Sequence, residues 1–365
     1  MILHLYFARK FITNFLMILF VFFGIIFLID MVEQLRRFSS NSVGMKEAAQ
    51  LALLNAPGNL YRILPLLVIL STLALFLNLT RTSELVIARA SGRSALGALL
   101  APLLVAFTLG VFGVSVWNPI GAATANLYET ISDRHLGRAS NALSIGAEGL
   151  WLRQGNVEGQ TVIHASETNQ NGTILGNVTF LAFDINSQVI YRIEAKTAKL
   201  ETGGWVLNDT KRWDFKDTLN PELSASTTDT IRLQSNLTQK EIQESFGAPS
   251  DIPFWELPAF IASLENAGFS STQHRVWYAT ELALPAFLMA MVLIGAMFTM
   301  RHSRFGKTGI MLLGAIVMGF GLFFLKNFAQ VLGNSGQIPV LLAAWTPPLA
   351  GILLALGFIL HTEEG

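Results

Sequence analysis

Three arginines and one glutamate lie together in "LTRTSELVIARASGRSALG", residues 79–97, between two long apolar runs. Ser83 is a favourable N-cap, Glu84 stands in the first turn, where the helix dipole favours an anion, and Gly92 is a favourable stop. The pattern predicts a short helix over 84–91, about 12 Å long. No cation stands four residues after the glutamate, where Ala88 lies, so the helix itself offers it no ion pair at that spacing. The alternative is a plain interfacial loop whose arginines follow the positive-inside rule.

A second group of basic residues follows the first apolar run. Arg36 and Arg37 close the sequence "DMVEQLRR", and Lys46 and Arg62 come before the next run. Arginine forks bind phosphate oxygens in bidentate fashion, so these residues are candidates for holding the phosphates of a lipid headgroup. The alternative is ordinary snorkelling of basic side chains at a membrane surface.

Glu281 immediately precedes a later apolar run, inside "HRVWYATELALP". A carboxylate that enters hydrocarbon costs on the order of 2.5–3.5 kcal/mol, so we expect it to face a cavity or a partner, unless it lies hydrated at headgroup level. Phe27 belongs to an aromatic set on the first run, which suits acyl chains in a groove and equally suits ordinary lipid contact. That set is Phe15, Phe20, Phe22, Phe23 and Phe27.

The composition that surrounds these residues is that of a membrane protein. Of 365 residues, 52% are hydrophobic and 14% charged, and the mean hydropathy is +0.47. The net charge of zero gives no electrostatic case for nucleic acid, and the absence of cysteine excludes disulfides and Cys-ligated metals. Apolar runs near the roughly 20 residues that a bilayer requires predict six transmembrane helices. They are Phe11–Ile29, Ile63–Thr80, about Ala95–Trp117, Leu282–Met300, Thr308–Leu325 and about Ile338–Leu360.

Lysine and arginine near the span ends predict the orientation. The side that holds the N-terminus has more of them: Arg9, Lys10, Arg81, Arg89, Arg93, Arg301, Arg304 and Lys307. The other side has fewer: Arg36, Arg37, Lys46, Arg62 and Lys326. The positive-inside rule therefore places the N-terminus in the cytoplasm and the interval between spans three and four in the periplasm of a bacterium.

That interval has the pattern of a β domain, from about Ser144 to Ser235. Segments such as "GLWLRQGN", "NVTFLAFD" and "QVIYRIEAKTAKL" are β-branched and aromatic, and "ETGGW" is a hairpin signal. Continuous antiparallel strands favour a sandwich or an open jelly-roll type.

We therefore predict an α-helical membrane protein with six transmembrane helices (3+3) and an inserted periplasmic antiparallel β domain that is jelly-roll-like. The predicted domains are an N-terminal transmembrane half at 1–135, the β domain at 136–252 and a C-terminal transmembrane half at 253–365. The short helix of the first half, a coupling helix in the interpretation below, is predicted at about 83–92.

Three motifs carry a resemblance to a known family. "RTSELVIARASG" resembles the cytoplasmic coupling segment of the lipopolysaccharide export permeases, the LptF/LptG family. "DMVEQLRR" resembles the family's exit from the first span, and "EGLWLRQGN" resembles the opening of its β domain. The plan of three spans, a β domain and three spans covers the whole chain, and "VEQLRR" and "RTSELV" are more like the LptG branch.

The resemblance implies a permease subunit of an ATP-binding-cassette exporter that extracts lipopolysaccharide from the bacterial inner membrane and passes it to a periplasmic bridge. The implied partners are a paralogous LptF-like permease, a cytoplasmic ATPase dimer and bridge proteins of the β-jelly-roll type. ATP and Mg would bind in the ATPase, and this chain would have no cofactor, metal or enzymatic activity of its own.

The same resemblance implies roles for individual residues. The ATPase-coupling residues would be Arg81, Ser83, Glu84, Leu85, Val86, Arg89 and Gly92. The substrate-binding residues would be Arg36, Arg37, Lys46, Arg62, Phe27 and Glu281. One position departs from expectation, because Asp30 stands in the region where a relative is expected to place a lysine.

Two tempting motifs fail. "RFGKTG" contains Gly-Lys-Thr, but a P-loop needs a glycine five residues before Gly306, and Arg301 stands there. The sequence also has no His-Glu-x-x-His motif of a metalloprotease. Two other interpretations stay open: a membrane-anchored β-domain scaffold or sensor without transport, and an ATP-linked mechanotransmitter for lipoproteins.

Overall fold

The computed structural model divides the chain into two compact units. The membrane unit comprises 1–135, 250–255 and 272–365, and the β unit comprises 136–249 and 256–271. The residues that the structure describes are 2–38, 44–84, 95–136, 143–146, 149–156, 159–169, 172–184, 188–215, 221–235, 237, 242, 248–266, 269–300 and 308–364.

Long helices make up most of the membrane unit. In chain order the helices are α1 (Ile2–Arg37), α2 (Met45–Arg62), α3 (Leu64–Arg81), α4 (Ala95–Phe112), α5 (Asn118–Leu136), α6 (Leu257–Asn266), α7 (Thr272–Thr299), α8 (Thr308–Asn334) and α9 (Val340–Glu364). A five-residue π-helical segment, Gly113–Trp117, joins α4 to α5.

Six of the helical stretches are long and apolar enough to cross a membrane, which confirms the six predicted spans. The most apolar 18-residue stretch of each helix, its apolar window, is buried by the rest of the chain to a different extent. The window of α7 is 72% buried and that of α3 is 61% buried, whereas α8 reaches 17% and α1 only 6%. Helix α7 is therefore the centre of the bundle, and α1 and α8 leave apolar faces for lipid or for another chain.

Helix α1 is attached to the bundle through its first half. Phe7, Phe11 and Phe15 follow one another at i, i+4 spacing and are almost fully buried. Further along the helix, Phe20 is 76% exposed and Ile29 is 65% exposed. Both halves of α1 therefore leave one apolar face uncovered, and the second half packs on α2, with Gln34 and Phe38 buried.

The third span packs closely on α7 and is interrupted at one point. A Cβ added to Gly110 would lie 2.5 Å from the Cα of Pro285, so only glycine permits this approach. The π segment follows, and the indole Nε1–H of Trp117 donates to the carbonyl of Pro57 at 3.1 Å. π-helical segments often occur at functional positions. This one directly precedes Asn118, which belongs to the buried polar group described below.

The β unit contains one antiparallel sheet in which every strand pairs with the next. Its strands are β1 (Leu143–Gly146), β2 (Gly149–Asn156), β3 (Gly159–Thr168), β4 (Ile174–Asp184), β5 (Val189–Glu201), β6 (Gly204–Asp214) and β7 (Ser226–Gln234). The β2 bounds coincide with "GLWLRQGN", and the predicted antiparallel strands are confirmed. The described strands form a single hydrogen-bonded sheet in the order β1 to β7.

A glycine turn and the alternation of buried and exposed side chains along the strands explain how the sheet forms. Gly203 has φ of +87° in the tight turn between β5 and β6, as the "ETGGW" signal predicts. On one face, Trp205 and Phe180 are buried and meet edge to face with ring centroids 6.1 Å apart. Leu264 of α6 and Phe269 complete this apolar core.

Helix α6 therefore packs with the sheet. The interpretation from sequence grouped all of 253–365 with the C-terminal transmembrane half, whereas the contacts group 256–271 with the β unit. The reason is that α6 has an apolar face, marked by buried Leu257 and Leu264, that covers the open side of the sheet.

Candidate functional site

Arg36 and Arg37 end α1 in different environments. The guanidinium of Arg36 forms an ion pair with Glu33, with Nη2 to Oε1 at 2.7 Å, and its side chain is 77% exposed. Arg37 donates to the hydroxyl of Tyr128 at 3.0 Å, and its guanidinium lies 5.6 Å from the ring centre of Phe38. Arg36 is thus available to solvent, while Arg37 is tied to α5.

Lys46 and Arg62 are exposed at opposite ends of α2. At 1.5 Å per residue their backbones are about 24 Å apart along the helix. The structure therefore does not bring the four basic residues of the predicted substrate site into one cluster within this chain.

Arg62 borders a small cavity of about 50 Å³ that is also lined by Asn59, Asn118 and Trp277. Among the described residues, the buried Nε1–H of Trp277 has no hydrogen-bond partner. A cavity of this size has room for a few water molecules.

The contacts of Asp30 explain why an acidic residue stands at this position. Its carboxylate accepts from Nε2 of Gln34 at 3.3 Å and from Nδ2 of Asn55 at 3.0 Å. It therefore links α1 to α2, a role that needs an acceptor and that a lysine would not fill.

Phe27 is half-buried in the second half of α1. Its ring stacks on Phe23 with centroids 6.1 Å apart and planes 20° apart, and the neighbouring Phe20 is exposed. Phe20, Phe23 and Phe27 form an apolar stripe on α1, and both acyl-chain contact and ordinary lipid contact agree with that position.

Glu281 lies inside the membrane unit, only 4% exposed. Its carboxylate accepts a hydrogen bond from the hydroxyl of Tyr61 on α2. The side chain of Asn118 lies within hydrogen-bonding range, and the ammonium group of Lys326 on α8 acts on it electrostatically. The carboxylate thus faces partners rather than hydrated headgroups, as its cost in hydrocarbon requires.

The substrate-binding role of Glu281 stays a prediction; in this chain by itself the side chain is buried. The carboxylate points into the protein and links α7 with α2 and the start of α5, so it is not presented to a lipid on the surface of this chain. In the described structure it contacts helices from both halves of the sequence.

Glu84 is the centre of the most densely bonded polar cluster of the candidate site. Its Oε1 accepts from Nζ of Lys10 at 3.0 Å and from the hydroxyl of Thr82 at 2.9 Å. Its Oε2 accepts from the hydroxyl of Tyr6 at 2.9 Å and from Lys10 at 3.1 Å. Lys10 also donates to the Tyr6 hydroxyl at 2.8 Å, which closes a ring of contacts between α1 and the end of α3.

These contacts change the acidity of Glu84. Partial burial raises the pKa of the carboxyl, but the hydrogen bonds from Lys10, Thr82 and Tyr6 lower it by more, so the pKa lies below its ordinary value. The carboxylate is therefore the stable form at neutral pH.

The backbone turns sharply to bring Glu84 to α1. Helix α3 ends at Arg81, whose side chain is exposed, and Ser83 follows with φ of 57°, in the left-handed region. The N–H of Ser83 donates to the carbonyl of Thr80 at 3.2 Å. Of the other predicted coupling residues, Leu85, Val86, Arg89 and Gly92 lie outside the described residues, as does the rest of the predicted helix.

The comparisons with known proteins agree with one family. The model of the family "Lipopolysaccharide export system permease LptF/LptG" matches residues 5–361. The chain belongs to the LptF/LptG permease family. It is 24% identical over 358 residues to the lipopolysaccharide export system permease protein LptG of Escherichia coli strain K12, which covers 97% of this chain and 94% of that protein. The LptG of Escherichia coli O6:H1 strain CFT073 is similar to the same extent.

Membership confirms the resemblance drawn from the three motifs, and it defines the chain as a multi-pass lipopolysaccharide export permease. Within the described part of the chain, no group of three or more His, Asp or Glu side chains has the arrangement of a metal site.

Sequence reasoning missed the partners of both acids. The sequence pattern assigns Lys10 only to the orientation of the chain and gives no role to Tyr6, Tyr61 or Asn118. The i, i+4 spacing of Tyr6 and Lys10 on one helix face was the available signal, but nothing in the local sequence connects that face to Glu84.

Proposed function

We propose that this LptF/LptG permease is one transmembrane subunit of an ATP-binding-cassette exporter in the bacterial inner membrane. It would extract lipopolysaccharide from the membrane and pass it to a periplasmic bridge of β-jelly-roll proteins. The observation that carries this proposal is the family match over residues 5–361, which spans both halves of the membrane unit and the β unit.

The uneven burial of the helices supports a second permease subunit beside this one. The apolar windows of α1 and α8 are only 6% and 17% buried. A paralogous, LptF-like chain that faces these helices would enclose a cavity for the acyl chains, and the exposed Arg36 would reach lipid phosphates at its rim.

ATP hydrolysis would take place in a separate cytoplasmic ATPase dimer, which would hold ATP and Mg. The segment that begins at Arg81 would be the contact with that motor, with Ser83 and Glu84 at its start and Leu85, Val86, Arg89 and Gly92 within it. ATP-driven closure of the ATPase would move this segment and narrow the cavity between the permeases.

Two experiments test the proposal. The full chain, expressed with its neighbours in a bacterial membrane, is expected to co-purify with an ATPase and a paralogous permease. A photocrosslinker in place of Arg36 is expected to capture lipopolysaccharide. Co-purification of neither protein, with no lipid adduct, would favour a membrane-anchored scaffold instead.

A substitution at the coupling segment tests the link to the motor. Glu84→Ala is expected to weaken ATPase association or to lower lipopolysaccharide release per ATP hydrolysed by roughly tenfold, because it removes a carboxylate with charge-assisted hydrogen bonds. Normal assembly and wild-type export in this variant would contradict the assignment.

A further inference from the structure

The chain leaves the β unit for six residues and then returns to it. Residues 250–255, "SDIPFW", belong to the membrane unit, whereas 136–249 before them and 256–271 after them belong to the β unit. This SDIPFW segment ends in two aromatic residues with opposite environments, because Phe254 is buried and Trp255 is 66% exposed. The detour therefore presents one large apolar ring to the surroundings of the membrane unit.

Hydrogen bonds and ring stacking fix the SDIPFW segment on α5 and α7. Nδ2 of Asn126 donates to the carbonyl of Asp251 at 3.1 Å, and the backbone N–H of Phe254 donates to Oδ1 of Asn118 at 2.9 Å. The ring of Phe254 stacks on Tyr278 with centroids 5.2 Å apart and planes 16° apart. The position of the exposed ring that follows is therefore set by its neighbours.

The indole of Trp255 is bonded to a carbonyl that the helix leaves without its usual donor. In an α-helix the carbonyl of Ser115 would accept from the N–H four residues later, but Pro119 stands there and has no N–H. The Nε1–H of Trp255 donates to this carbonyl at 3.1 Å. Because an unpaired carbonyl is costly away from water, this bond holds the polar edge of the indole against the π segment and leaves the ring outside.

The exposed ring continues an apolar surface of the third span. Val111 and Phe112 are exposed and lie one helical turn before Ser115, so they are on the same side of the helix. Both belong to the candidate span Gly97–Ser132. The apolar face of a membrane-spanning helix that its own chain leaves uncovered meets lipid, and Trp255 extends that face.

Helix lengths place Trp255 near one boundary of the hydrocarbon. Ser115 lies 18 residues after the start of the span at Gly97, which is about 27 Å along a helix, and the hydrocarbon is roughly 30 Å thick. A Cβ added to Gly113, just before Ser115, would lie 3.3 Å from Leu64 and 3.6 Å from Leu284. Leu64 is the first residue of the second span. Two spans therefore reach the same level at this point.

We propose that Trp255 is an interfacial anchor, whose ring lies among phospholipids at the boundary between hydrocarbon and headgroups, on the side of the membrane opposite to Arg81. Tryptophan suits this boundary because its ring is apolar and its N–H is polar, and it is enriched at membrane–water interfaces. Ser115 satisfies the N–H, so the ring contacts lipid without leaving a donor unpaired. The anchor does not depend on the proposed export function.

The test uses the purified full-length chain in nanodiscs of phosphatidylethanolamine and phosphatidylglycerol. The fluorescence of Trp255 is obtained as the difference between wild type and Trp255→Phe. Three quenchers are compared: a lipid with a spin label near its ester carbonyls, a lipid with the label near the chain end, and aqueous iodide. We expect the shallow label to remove at least about twice as much of the difference signal as either other quencher.

Trp151→Phe is the matched control, since Trp151 is an exposed tryptophan of the β unit. Its difference signal is expected to respond to iodide and to neither lipid. If the Trp255→Phe chain does not fold, Trp255→Tyr serves for the same subtraction, because tyrosine keeps an aromatic ring with a polar tip.

Three results would overturn the anchor. Quenching of the Trp255 signal mainly by iodide would place the ring in water. Quenching by none of the three would show that protein covers it. Stronger quenching by the deep label would place it inside the hydrocarbon, as an ordinary residue of the span surface.

Discussion

Glu281 and Tyr61 form a buried acid–hydroxyl pair that connects helices far apart in sequence. Removing one partner of such a pair leaves a buried acceptor without its donor, and that penalty exceeds the net value of the bond. Removal of the Tyr61 hydroxyl oxygen alone is therefore expected to lower stability measurably.

We expect Tyr61→Phe to lower the free energy of unfolding by about 1–3 kcal/mol, because the carboxylate of Glu281 loses its hydroxyl donor. Chemical unfolding in detergent measures this difference. Tyr278→Phe is a suitable control, since its ring stacks on Phe254 at 5.2 Å and the substitution keeps that contact. Equal effects of the two variants would contradict the role assigned to the Tyr61 hydroxyl.

The lowered pKa of Glu84 predicts a pH dependence. A carboxyl whose pKa is depressed in the folded state adds stability above its ordinary pKa of 4.5, and this contribution is lost as the pH falls below that value. The difference in unfolding temperature between wild type and Glu84→Gln is therefore expected to be constant from neutral pH to about pH 5 and to shrink at lower pH. A difference that grows on acidification would contradict the ion pair.

At the scale of elements, the close approach of the third span to α7 depends on one glycine. Glycine to alanine in an exposed helix gains up to about 1 kcal/mol of helix propensity. At Gly110 a Cβ would lie 2.5 Å from the backbone of Pro285, so the two helices would have to separate. In Gly110→Ala the steric clash therefore lowers stability while the gain in helix propensity raises it.

We expect Gly110→Ala to destabilise the chain by about 1–3 kcal/mol, since the strain of overpacking exceeds the gain in propensity. Gly24→Ala on α1, where a Cβ would meet nothing within 4 Å, is expected to be neutral or stabilising. Unfolding of both variants in the same detergent provides the comparison. A stabilised Gly110→Ala would show that the helices are not held at this distance.

At the scale of the whole molecule, the orientation rests on the distribution of lysine and arginine. The chain has no cysteine, so single cysteines report the side of the membrane without a background signal. We expect Arg36→Cys to react with an impermeant maleimide in cells with a permeable outer membrane, and Arg81→Cys to react only after lysis. The reverse pattern would contradict a cytoplasmic N-terminus.

The sequence by itself determined the spans, the strands and the family. Run length and alternation are local properties, so the six apolar stretches, the strand "GLWLRQGN" and the turn at Gly203 could be read from neighbouring residues. Family membership followed from short motifs of the same local kind. Neighbouring residues did not predict that all the strands pair in one sheet or that α6 packs on that sheet. Both features depend on which surfaces meet in the folded chain.

Only the tertiary structure decided the partners of the two acids. Lys10 and Glu84 are separated by 74 residues, and Tyr61 and Glu281 by 220. A carboxylate within an apolar sequence needs a partner, because its desolvation is costly. The local sequence does not show which helix supplies the hydrogen-bond donor. The packing of α1 and α2 against the bundle supplied it: Tyr6 and Lys10 of α1 contact Glu84, and Tyr61 of α2 contacts Glu281.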